Sequence, residues 1–211
     1  MFDPTSLYEA ILGGQAQAAR STTEEALAAG ADPQEIVDRA MIPAMDEVGR
    51  RFENCEYFVP ELLISARAMK AALGLLRPLL AGRGSKPVGR LAIGTVRGDL
   101  HDIGKSLVGA MLEGGGFEVV DLGVDVPAER FVEAVTAGGV SIVALSALLT
   151  TTMPAMKAVV EGLTRAGVRD KVRVMVGGAP VTQHYAAEVG ADGYAPTAAG
   201  AVTLARKLIK P

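Results

Sequence analysis

The chain has 211 residues, 49% of them hydrophobic, with 21 basic against 24 acidic side chains and a formal charge of −3. That is room for one large or two modest domains with real cores, and neither half carries the basic face that a nucleic acid demands, so none is expected as a partner. One cysteine, Cys55, excludes an internal disulfide and a cysteine-rich zinc site, while the absence of a leader pattern at Met1-Phe2-Asp3-Pro4 and of any long apolar run predicts a cytoplasmic protein without a membrane anchor.

From Thr5 to about Arg83 the pattern is helical. Leu7, Ile11 and Leu12 begin an amphipathic stripe that Gly13-Gly14 interrupts, and a second helix is predicted from Gln15 to Ala29 with Gly30 at its C-terminal end. Asp32-Pro33-Gln34-Glu35 combines an N-cap residue, a proline at the first helical position and an acid three residues after the cap. Ile42-Pro43 breaks or restarts the helix that follows. Beyond Tyr57-Phe58-Val59, a long helix opening at Pro60 is predicted to bury Leu62, Ala66, Met69, Leu73, Leu76 and Leu80 as the seam of a helical bundle. Cys55 lies just before it and is read as a structural, unreactive thiol.

Gly82-Arg83-Gly84-Ser85-Lys86-Pro87 has the composition of a linker, which divides the chain into a helical domain, residues 1–85, and a second domain, residues 86–211. In the second, short apolar runs at Arg90 to Val96, Phe117 to Leu122, Ser141 to Leu145, Val172 to Val176 and Gly193-Tyr194 alternate with helices from about Ile103, Pro127, Met153, Val181 and Thr197. Strand followed by helix, five times over, predicts an α/β fold with a doubly wound five-stranded parallel sheet. Every loop leaving a strand then lies on one rim, where open sheets bind ligands.

The first of those loops runs Gly98-Asp99-Leu100-His101-Asp102-Ile103-Gly104. On an extended segment, Asp99 and His101 would point the same way. A histidine that ligates a metal commonly gives its other ring N–H to a carboxylate, and Asp99 is placed to take it. The stripe Ile103, Leu107, Ala110 and Met111 marks the helix that follows. The rim loop after the third strand holds Ser146, Leu148, Thr150 and Thr152; the one after the fourth holds Gly177-Gly178. Hydroxyls and missing side chains on neighbouring loops suit a long ligand lying in the sheet's edge.

Asp99-x-His101-x-x-Gly104, Ser146-x-Leu148 and Gly177-Gly178, in that order after strands one, three and four, resemble the corrinoid (cobalamin-binding) methyl-carrier proteins of the methylamine, methanol and methoxyarene methyltransferase systems. They are also similar to the cobalamin-binding module of methionine synthase. The resemblance implies a flavodoxin-like (Rossmann-like) sheet preceded by a helical cap, and a cobalamin or related corrinoid bound base-off. His101 would be the lower cobalt ligand through Nε2, oriented by Asp99, with Thr152 standing third in the relay where methionine synthase has Ser. Asp102, Ile103 and Gly104 belong to the same cofactor loop, Leu148 is a further cofactor-binding position, Ser146 and Thr150 match positions that contact the buried nucleotide tail, and Gly177 with Gly178 leaves it room. Phe52 and Val59 match the cap residues over the upper face of the corrin.

By the same resemblance the protein carries a methyl group on cobalt, in methanogenesis or one-carbon metabolism, from a substrate-specific methyltransferase to an acceptor methyltransferase that passes it to a thiol or folate. A reductive activase is a further implied partner. The rival readings within this cofactor class are a cobalamin sensor that regulates transcription and a subunit of a cobalamin-dependent isomerase. The acidic N-terminal half and the Tyr57-Phe58-Val59-Pro60 segment favour the carrier.

Overall fold

The computed structural model describes residues 3–82 and 87–209; the stretch read as a linker and hinge lies, at residues 83–86, outside them. The chain divides into two compact units, Met1–Pro87 with Glu113–Gly116, and Val88–Leu112 with Phe117–Pro211.

The first unit is helical, with α1 Thr5–Leu12, α2 Ala16–Ala28, α3 Pro33–Ile36, α4 Ile42–Glu53 and α5 Val59–Gly82. Asp32 caps α3 by accepting from the backbone N–H groups of Gln34 and Glu35 at 2.9 and 3.2 Å, with Pro33 at the first helical position. The Glu35 carboxylate pairs with Arg39 one turn on. At Ile42-Pro43 the helix widens instead of breaking. Val37–Met41 form a π-turn, and Met41 and Ile42 keep right-handed helical angles. Pro43 has no N–H to donate and its ring crowds the carbonyl four residues back, so one wide turn absorbs the misfit.

The seam of α5 is narrower in residue size than its leucine spacing suggests. Leu62, Ala66, Met69 and Leu76 are buried, but Leu73 and Leu80 are only half-buried, and Ser65, Ala68 and Ala72 take the remaining interior positions. Small side chains there let α2 and α5 approach closely. Ser65 and Tyr57 both donate to the Leu12 carbonyl, at 3.1 and 3.2 Å, which satisfies an acceptor that the end of α1 leaves open. Cys55 is exposed, with φ of 59°, and packs into no core, contrary to the structural role expected of it.

In the second unit β1 Arg90–Thr95, β2 Glu118–Asp121, β3 Ile142–Ser146, β4 Arg173–Gly177 and β5 Gly193–Tyr194 alternate with α6 Ile103–Gly114, α7 Ala128–Thr136, α8 Pro154–Arg165, α9 Gln183–Glu188 and α10 Ala198–Ile209. All neighbouring strands are parallel and their order is β2-β1-β3-β4-β5, the flavodoxin-like arrangement. Successive side chains in a strand point to opposite faces. Ala92, Val143, Leu145, Val174 and Val176 pack on one face with Phe131 and Val135 of α7 and Met156, Val159 and Leu163 of α8. The alternate residues Leu91, Ile93, Ile142 and Met175 are buried too, as are Ala201, Val202 and Ala205 of α10, whose contacts are with β3, β4 and β5. Burial on both faces explains why these strands read as continuous apolar runs.

The register sets Thr95, Ser146 and Gly177 side by side on the last rung of the central strands. Ser146 and Gly177 therefore end strands instead of opening loops, a shift of one residue from their expected bounds. Strand order reverses between β1 and β3, and the loops after β1 and β3 leave the sheet there.

Candidate functional site

Asp99 is fully buried on the loop after β1, while the side chain of His101, two residues on, is half-exposed. They do not share a face of an extended segment. A tight turn joins them: Gly98 adopts φ of 83°, and Asp99 Oδ1 accepts from both the backbone N–H of His101 at 3.1 Å and its ring Nδ1 at 2.8 Å. The other carboxylate oxygen faces the loop after β3. Oδ2 accepts from the backbone N–H groups of Leu148 and Leu149, at 2.8 and 3.3 Å, and lies 2.7 Å from the Thr152 hydroxyl. Thr152 Oγ1 is also 2.9 Å from the Leu149 carbonyl, but its single proton goes to the charged acceptor, where the bond is stronger.

Burial by itself pushes the Asp99 carboxyl up. Four hydrogen bonds, from Leu148, the His101 amide, Thr152 and the His101 ring, outweigh it and hold the group well below the usual carboxylate range. An ionised carboxylate only accepts, so His101 Nδ1 carries the proton, and it is Nε2 that points away from the carboxylate. Among the described residues none bonds that nitrogen.

Three residues that sequence reasoning passed over set the backbone here. Thr95, fully buried at the end of β1, donates to the His101 carbonyl at 2.8 Å. Asp125, in the loop after β2 with φ of 52°, accepts from the Gly98 N–H at 2.7 Å and gives its own N–H to the Asp99 carbonyl at 3.0 Å. Lys105, in the first turn of α6, is buried with its ammonium 2.5 and 2.6 Å from the two Asp121 oxygens and 2.8 Å from Asp102 Oδ1. Burial pulls that ammonium down, but the two carboxylates hold it above the ordinary lysine value, and Lys105 and Ser106 together lower Asp102. A cation at the start of a helix, against the helix dipole, was the available signal.

The other candidate residues surround this core. Ile103 is 80% exposed and, as the first residue of the helix, stands outside the buried stripe of Leu107, Met111 and Leu112. With Leu100, Leu148 and Leu149 it belongs to a set of exposed apolar side chains on the loops that carry His101 and the acceptors of Asp99. These four lie on two loops that the hydrogen bonds of Asp99 join. Ser146 is half-buried at the end of β3, and Thr150 is exposed. A Cβ on Gly104 would meet nothing within 4 Å, whereas one on Gly178, where φ is 127°, would fall 1.8 Å from the Ala147 carbonyl oxygen. Gly177 would press on the Ala195 carbonyl at 3.2 Å. The Gly-Gly pair is thus required first by its own neighbours. His184 is exposed on α9. Within the helical unit Phe52 is half-buried and Val59 and Phe58 are exposed, so neither Val59 nor Phe58 is bundle core.

The donor set suits one kind of metal. Among the described residues no three His, Cys, Asp or Glu side chains gather to hold a bare ion. A single oriented imidazole beside exposed apolar side chains fits a metal that arrives with its own equatorial ligands.

Comparison with known proteins gives the family. A B12 binding domain model matches residues 89–203, and a second B12 binding domain model matches residues 5–77. The chain is a member of the B12-binding family. Its B12-binding relatives include the trimethylamine corrinoid protein of Methanosarcina barkeri, 46% identical over 196 residues, 92% of this chain and 90% of that one. A cobalamin-binding protein from Desulfitobacterium hafniense is 32% identical and superposes over the full length of both chains with a TM-score of 0.82. The methanol:cobalamin methyltransferase complex of Methanosarcina barkeri contains a chain 33% identical, with a TM-score of 0.85, covering 97% of this B12-binding chain and 78% of that one. Among the described residues no helix is long and apolar enough to cross a membrane.

Proposed function

We propose that this protein is a corrinoid methyl carrier, loaded by a substrate-specific methyltransferase and unloaded by an acceptor methyltransferase that passes the methyl group to a thiol or folate. The observation that carries the reading is His101: one ring nitrogen is fixed by a buried carboxylate, the other has no partner among the described residues, and the loop around it exposes Leu100 and Ile103. In this reading residues 86–211 bind the corrinoid base-off, with His101 Nε2 as the lower ligand, and residues 1–85 form the cap. When bound, the corrinoid supplies the cobalt that accepts and surrenders the methyl group.

The chain's own residues do the rest. Asp99 keeps the proton on His101 Nδ1 and so fixes which nitrogen faces the metal; Thr152 and the Leu148 N–H keep Asp99 in place. Gly104, whose Cβ would project into open space, leaves room for a planar macrocycle to approach the loop. Leu100, Ile103, Leu148 and Leu149 offer it apolar contact. Ser146 and Thr150 are assigned to the nucleotide tail, and Phe52 and Val59 to shielding the cofactor from water and oxidants. The similarity to a chain of a methanol:cobalamin methyltransferase complex supports a methyltransferase partner. A reductive activase and a cytoplasmic setting complete the proposal.

The test is spectroscopic. Protein grown on 15N-histidine and reconstituted with cobalamin should show, in the electron paramagnetic resonance of its cobalt(II) form, an axial nitrogen splitting whose multiplicity changes with the label. His101→Gly should abolish that response. A splitting indifferent to the label in the wild type would overturn His101 as the ligand.

A further inference from the structure

Lys105 is hard to explain as a packing residue. It is a cation in the first turn of a helix, where the dipole disfavours it, and its side chain is 2% exposed. A buried ammonium is retained only when every proton is used, and here three oxygens take them: both of Asp121 and one of Asp102. Asp121 ends β2, and its Oδ1 also accepts from the Gly123 N–H at 2.9 Å, which anchors the loop that carries Asp125. Asp125 in turn grips the backbone at Gly98 and Asp99. Asp102 follows His101 directly. The residue after the imidazole is thus tied through one ammonium to the end of β2, while the residues before it are held by Asp125 from the loop that β2 leads into.

We infer that Lys105 is a positioning residue for the axial histidine: it pins the His101–Gly104 backbone to the β2 rim, so that the ring offers Nε2 in one orientation before any cofactor arrives. The inference rests on the proposed role of His101 as cobalt ligand, and goes beyond it by naming the group that sets the ligand's aim. Asp99 fixes the ring's tautomer and tilt; Lys105 fixes the backbone from which the ring hangs. Thr95, which holds the His101 carbonyl from below, makes the same backbone contact from β1.

The experiment uses the full chain, without cofactor and with cobalamin in the cobalt(II) state, in the wild type, Lys105→Met and Asp121→Asn. Methionine preserves the buried stem and removes the charge; Asp121 has a half-exposed side chain, so its replacement does not empty a core. In both apo variants the amides of His101 to Gly104 should exchange faster with solvent while those of β3 and β4 keep wild-type protection. With cobalamin, the share of the cobalt signal that responds to 15N-histidine should fall and the cofactor should bind about 10-fold more weakly, at the low end of the loss seen when a partner behind a metal ligand is removed. A role in stability alone would lower the melting temperature and leave both the local exchange and the spectrum of the bound cofactor unchanged, and that result overturns the inference. If Lys105→Met does not fold, Asp121→Asn decides by the same readouts. Should the wild type itself show no histidine splitting, His101 ligation fails, and the exchange measurement separately retains or removes Lys105 as the anchor of the loop.

Discussion

At the scale of the residue, Asp99 concentrates most of the site's electrostatics. It is a fully buried carboxylate that stays ionised because donors from its own loop and from the loop some fifty residues later converge on it. A carboxyl held below its unfolded value near 3.9 contributes stability that is complete above that pH and is lost as pH falls through the lower folded value. The wild-type melting temperature should therefore drop as pH is lowered beneath about 4. Asp99→Asn should be less stable at pH 7, since an amide turns N–H groups toward the Leu148 and Leu149 donors, and its acid limb should be shallower. Parallel melting curves of the two proteins against pH, equally steep below pH 4, would assign the acid loss to other groups.

At the scale of the element, two glycines on the rim answer to different causes. Gly178 has a φ of 127° and an added Cβ would meet the Ala147 carbonyl, so Gly178→Ala should cost about 1–3 kcal/mol from conformation alone, and more from the overlap. Gly104 sits in the first turn of α6 with open space where a side chain would go, and Gly104→Ala should leave stability unchanged or raise it by up to about 1 kcal/mol. Its cost should appear in cobalamin affinity instead. Denaturant unfolding without cofactor and titration with cobalamin separate the two effects; a Gly104→Ala protein that binds cobalamin as tightly as the wild type would remove that glycine from the site.

At the scale of the whole molecule, the proposed carrier would have to expose its cofactor to a donor and an acceptor methyltransferase in turn, and the sequence from Gly82 to Pro87 has the composition of a hinge. Shortening that stretch by deletion is expected to preserve cobalamin binding and to slow methyl transfer, as other gating motions limit turnover. Stopped-flow transfer rates at saturating partner decide it: equal rates in the shortened and native chains would mean that no movement of the helical unit is needed.

What could be read from the chain alone is what local chemistry dictates. Apolar runs and helical stripes located all five strand and helix pairs of the second unit to within one or two residues, because side-chain periodicity is set by the backbone geometry of each element. The pairing of Asp99 with His101 was also legible, being a matter of two residues in one turn. That Thr152 stands behind Asp99 came only from resemblance; no periodicity joins the two. Their contact, the amides of Leu148 and Leu149, the grip of Asp125 and the partners of Lys105 all depend on β1 lying between β2 and β3. That strand order is a property of the folded sheet, where residues far apart in sequence meet across a rung, and only the tertiary structure decides which donors reach a buried carboxylate.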